Sequence, residues 1–137
     1  MIPQKTLART AQSSMSSGKA EELVNYLFKT RDLVHFAHLK IQGPGAYAAH
    51  KALNEAYDYL LDFADDFAEM LQGIEGRILN LSVSASSSEV GDHVMMFQGC
   101  VKYLTAIKGN YTSDITNKIE ELIGNLNQTI YKLKFLK

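Results

Sequence analysis

Apolar residues recur at spacings of three and four in four separate stretches of the chain, the pattern of amphipathic helices. The first predicted helix covers Lys19 to Gln42, with Leu23, Leu27, Val34, His38 and Ile41 along one stripe. Ser16 or Ser17 is placed to cap it, Glu21 and Glu22 suit its first turn, and Gly43-Pro44 ends it. The second starts at Gly45 or Ala46 and runs to Gly73, its core face carrying Leu53, Tyr57, Leu60, Ala64, Phe67 and Leu71. A third is predicted from about Ser88 to Lys108, with Ser87, Ser88 and Asp92 near its start and Val90, Val94, Phe97, Val101 and Leu104 as its stripe. Gly109-Asn110 is a turn signal. The fourth helix then follows, capped by Thr112 or Ser113, and reaches about Leu136. Its Ile115, Ile119, Leu122, Leu126, Ile130 and Leu133 lie close to a heptad pattern, and Lys132, Lys134 and Lys137 complement the negative end of its dipole.

Between the second and third helices, Ile74 to Ser88 contains the run SVSASSS and has no helical character. Extended chain advances roughly 3.3 Å per residue against 1.5 Å in a helix, so this short segment can travel the length of a long helix. No strand and no internal repeat is evident. The pattern predicts an all-α fold, a four-helix bundle with a long crossover between the second and third helices.

The chain has 137 residues, enough for one core and too few for two domains. We expect a tail over residues 1–18 and a bundle over 19–137. The formal net charge is −1 and the pI is about 6.4, so there is no global basic field of the kind that draws in nucleic acid. The tail carries Lys5 and Arg9 without an acid, the one hint of DNA contact in the chain, and a solubilising or partner-grasping arm is the favoured alternative. The single cysteine, Cys100, excludes an internal disulfide framework, fits a reducing compartment and falls in an apolar stripe, where a small core residue is expected. No apolar run is long enough to span a bilayer and the N-terminus lacks a signal-peptide core, so the expected setting is cytoplasmic, without a membrane.

The chemistry gathers between His38 and Glu69. On one ideal helix, at about 100° per residue, His50, Asn54, Asp65 and Glu69 share a face, yet Asp65 stands roughly 22 Å along the axis from His50. One straight helix cannot hold one ion at both ends. A second copy packed antiparallel would bring His50 of one chain to Asp65 and Glu69 of the other and make two equivalent sites across a two-fold axis. Imidazole nitrogen and carboxylate oxygen suit Fe(II), and also Zn(II) or Mn(II). Asp58, Asp62, Asp65, Asp66 and Glu69 crowd the later half of the helix, where a bound cation would relieve repulsion and solvation alone is the bland alternative. His35 and His93 read as structural or surface histidines.

This arrangement resembles the Dps (DNA protection during starvation) mini-ferritins. There a histidine late in the first helix precedes a glycine-containing turn, and a second histidine and three acidic residues follow at the spacings seen here in His38, His50, Asn54, Asp65 and Glu69. Asn54 is an amide where the family has a carboxylate, and Leu39 stands where an aromatic usually follows the first histidine. The resemblance implies a ferritin-like bundle that forms a homo-oligomer, from a two-fold dimer up to a dodecameric cage. It further implies iron as the metal, His38, His50, Asn54, Asp65 and Glu69 as ligands, and ferroxidase activity with iron storage or DNA protection. The alternative is a non-catalytic ferritin-like structural or interaction protein with a degenerate metal site. No Glu-x-x-His pair, Cys-x-x-Cys motif or phosphate-binding glycine loop is present.

Overall fold

The computed structural model describes residues 18–137. The expected tail and the Ser16 or Ser17 cap lie outside the described residues. Four helices form: α1 Lys19–Lys40, α2 Ala46–Glu75, α3 His93–Ile107 and α4 Ser113–Phe135. No strand occurs among the described residues. The expected all-α four-helix bundle is therefore present.

The direction of each helix follows from what its ends touch. Gly43 and Gly45 adopt φ of 96° and 79°, left-handed values that glycine takes without Cβ strain, so Gly-Pro-Gly turns α2 straight back along α1. Past the far end of α2, Arg77 meets Glu21 near the start of α1. The crossover then climbs α1: the amides of Asn80 and Ser82 donate to side chains of Glu21 and Asn25, Glu89 pairs with Lys29, and Lys40 donates to the Ser87 carbonyl. The chain is thus delivered to the Gly-Pro-Gly end, where α3 begins. Tyr111, after α3, donates to the Lys19 carbonyl at the opposite end, and α4 returns until Lys137 lies against Gly45. The order is up, down, down, up, and the long crossover is what makes α2 and α3 parallel.

The helix ends differ from the sequence expectation in detail: α1 stops at Lys40, two residues before Gln42. α2 continues past Gly73 to Glu75 and stops at Gly76, whose φ of 68° makes it the left-handed residue beyond the helix end. α3 opens at His93 rather than Ser88, because the serines are used earlier. Ser86 and Glu89 form a reciprocal capping box around a single 3-10 turn, Ser87–Glu89, and the chain must extend again before Asp92 caps the Met95 amide. Thr112 occupies the position before α4, but its hydroxyl goes to the Asp114 carboxylate instead of a backbone amide.

The core follows the predicted stripes. Leu23, Leu27, Leu53, Leu60, Phe67, Phe97, Leu104, Ile115, Ile119, Leu122 and Leu126 are fully buried. α3 contributes least, burying only Phe97, Cys100 and Leu104, while Val94 and Val101 stay partly covered. α4 supplies cations to the acidic side chains of α2: Lys118 reaches Asp66 at 3.1 Å and Lys132 reaches Glu55 at 2.8 Å.

Candidate functional site

The two histidines singled out by the sequence stand together where α1 ends and α2 begins. Their rings stack with centroids 3.6 Å apart and planes 23° from parallel. The Nδ1 of His38 lies 2.9 Å from the carbonyl oxygen of His50, and the Nδ1 of His50 lies 3.0 Å from the carbonyl oxygen of His38. A carbonyl can only accept, so each Nδ1 must carry the hydrogen. In the neutral ring the lone pair is then on Nε2. Neither Nε2 has a hydrogen-bond partner among the described residues, and neither is sealed from solvent.

Each bond also has a local structural reason. The carbonyl of His38 belongs to the last turn of α1, where helical geometry leaves it without an amide partner. His50 supplies that partner from the first turns of α2. His38 is buried, and its own Nδ1–H is satisfied in return.

Tyr57 organises the neighbouring polar groups. Its ring stacks on His35 at 4.0 Å, meets His38 edge-on at 5.2 Å and lies 5.8 Å from the guanidinium carbon of Arg31. Its hydroxyl donates to the Asn54 side-chain oxygen at 2.7 Å, and the Asn54 amide donates onward to Asp58 at 3.3 Å. The only oxygen of Asn54 able to act as a ligand is already an acceptor. His35 is held below its usual pKa, first by burial, then by Arg31 and His38, with Asp32 and Asp58 pulling the other way. A neutral ring stacked on an aromatic agrees with a structural role for His35.

Asp65 and Glu69 are exposed, as are Asp58, Asp62 and Asp66. A single protomer does not bring Asp65 or Glu69 to the histidines, as the axial distance along α2 requires. Among the described residues of one protomer, no three His, Cys, Asp or Glu side chains come together to hold a metal ion. Cys100 is buried in the core, and that burial pushes its thiol up to about 12. His93 opens α3 and lines a recess at the end of the bundle.

The sequence pattern did not single out Tyr57 or Arg31. Tyr57 looks like one more apolar position of the α2 stripe, yet it is three residues beyond Asn54 and so on the same helical face, and Arg31 stands one turn before His35. Those spacings were the available signal.

Fold and site together define an all-α bundle with a paired-histidine helical hairpin. The chain belongs to a family of unknown function, DUF5856, which matches residues 38–133 and so takes in both histidines, the turn between them, α2, the crossover, α3 and most of α4, with only the end of α1. No curated protein and no solved structure matches the chain.

Proposed function

We propose that this protein is a ferritin-like, Dps-like homo-oligomer that binds Fe(II) at a site completed between two copies and oxidises it there, with dioxygen or peroxide taking the electrons. The observation that carries the reading is the histidine pair with both Nδ1 atoms pinned to backbone carbonyls. A metal-ligating histidine usually donates its other ring N–H to a carbonyl or carboxylate, which fixes the tautomer and aims the free nitrogen. His38 and His50 both meet that condition before any ion arrives. In an antiparallel pairing of two α2 helices, Asp65 and Glu69 of the second copy supply the carboxylates, and the two-fold axis passes near Asp58. Asn54 acts as a link from Tyr57 to Asp58 rather than as a ligand, which lowers the negative charge of the site relative to the mini-ferritin pattern.

A second reading rests on the same bonds. They satisfy the open carbonyl at the end of α1 and close the hairpin, so the pair can serve purely as a structural clasp in a non-catalytic interaction protein. His50→Asn separates the two readings, because an asparagine side-chain amide can donate from nearly the Nδ1 position but has no counterpart of Nε2. Anaerobic Fe(II) titration followed by oxygen or peroxide should show binding and oxidation in the wild type. Both should be lost in His50→Asn and in Asp65→Ala, with thermal stability of His50→Asn close to wild type. Equal iron behaviour in all three proteins overturns the metal reading. The assembly is tested separately by Asp58→Cys, which should give a disulfide-linked dimer under mild oxidation if the two-fold axis lies where proposed.

A further inference from the structure

The Gly-Pro-Gly end of the bundle is open. A recess of about 500 Å³ sits between the ends of all four helices, within the size range of small-molecule sites. Pro44, Gly45, Ala46 and Ala49 are too small to fill it from the α2 side, while Ile41, Val94, Leu133 and Leu136 give it apolar walls. Lys134, Lys137 and His93 also line it. The one acid in the lining, Asp92, is occupied as the cap of α3, accepting from the Met95 amide at 2.8 Å. Neither Lys134 nor Lys137 has an ion-pair partner among the described residues.

A second observation concerns the surface around the opening. Ten large hydrophobic side chains are exposed among the described residues, and six of them, Leu39, Tyr47, Met95, Tyr131, Phe135 and Leu136, stand on or next to the terminal turns at this same end. The remaining four belong to the end of α2 and the crossover. Leu136 links this exposed apolar set to the recess, and apolar surface gathered at one end of a molecule is of the kind that marks binding sites. The recess is concave, with apolar side chains and two ammonium groups without ion-pair partners together in its lining. That combination matches a molecule with a flexible hydrocarbon body and a single anionic head.

We propose that the open end of the bundle binds an aliphatic carboxylate, its chain in the recess and its head against Lys134 and Lys137. Phosphate alone lacks the apolar body, and an alcohol of equal length lacks the charge. The site is separate from the histidine pair and does not depend on metal binding.

Decanoate, kept below its micelle concentration, is the probe. Calorimetry measures affinity, and amide NMR shifts locate the site. Decanoate should shift Gly45, Ala46 and Val94, and affinity should rise several-fold from hexanoate to decanoate, since each buried methylene is worth up to about four-fold. Acetate and decanol should bind at least ten-fold more weakly. Ala46→Trp, which fills the recess, should abolish binding, and Lys134→Glu with Lys137→Glu should weaken decanoate ten-fold or more while leaving decanol unchanged. The paired lysine variant changes only exposed side chains, so it decides the matter if Ala46→Trp does not fold. No shift at the recess with millimolar decanoate, equal affinity for decanol, or an unaffected lysine variant overturns the proposal.

Discussion

His38 and His50 donate to each other's backbone carbonyls, at 2.9 and 3.0 Å, with their rings stacked between the two bonds. The His50 ring thereby supplies the partner that the His38 carbonyl lacks at the end of α1, and the His38 ring adds a second bond to the His50 carbonyl inside α2. The clasp couples the end of α1 to the start of α2 whatever else the histidines do.

Replacing either histidine with alanine should destabilise the protein by about 1–3 kcal/mol, because each change removes one ring-to-carbonyl bond together with the ring stack, and His50→Ala also leaves the His38 carbonyl at the end of α1 unpaired. The two losses should not add: a double-mutant cycle is expected to give a coupling of about 1 kcal/mol. Urea denaturation of the four proteins measures it, and strictly additive losses would show that the two rings do not stack in solution.

Glu21 ties the crossover to α1. Arg77 grips its carboxylate with two bonds, at 2.7 and 2.9 Å, and the Asn80 amide adds a third at 3.1 Å. Those contacts, led by Arg77, lower its pKa from 4.5 to about 2, against the opposing effect of desolvation. A folded-state pKa below the unfolded one gives stability that is present above pH 4.5 and lost as the pH falls toward 2. Glu21→Gln should remove that part of the acid dependence and leave the protein less stable at neutral pH. Melting curves across this window check both.

Cys100 should be inert in the native protein. Its thiol is buried among apolar side chains and raised to about 12, so almost no thiolate exists at neutral pH. A thiol reagent should react stoichiometrically in urea and negligibly without it. Fast native reaction would mean that α3 opens readily.

Phe67 lies fully buried on α2 and its ring stacks with Phe63 at 6.2 Å. Phe67→Ala should cost about 3–5 kcal/mol through lost burial and the cavity left behind, whereas Asp66→Ala, one residue away, should cost about 0.5 kcal/mol or less because its bond to Lys118 is a surface pair. Chemical denaturation of the two variants makes the contrast directly.

The number of helices, their core stripes, the Gly-Pro-Gly reversal and the long crossover were all legible in the sequence, because apolar periodicity and the backbone preferences of glycine and proline act over a few neighbouring residues. The start of α3 was not. Ser86, Ser87 and Ser88 are good capping residues, and only the docking of Glu89 on Lys29 and of Lys40 on the Ser87 carbonyl shows why they cap a separate 3-10 turn. The importance of His38 and His50 could be read from their spacing around the turn. Their reciprocal bonds could not, since these depend on how far two antiparallel helices approach and at what register. Tyr57 makes the same point: its sequence position gives an apolar stripe, and only the presence of His35, His38 and Arg31 on the facing helix turns it into the centre of a polar cluster. Local pattern determined where the helices are. Packing between them decided which side chains meet, because each such contact joins residues whose separation along the chain carries no information about their distance in space.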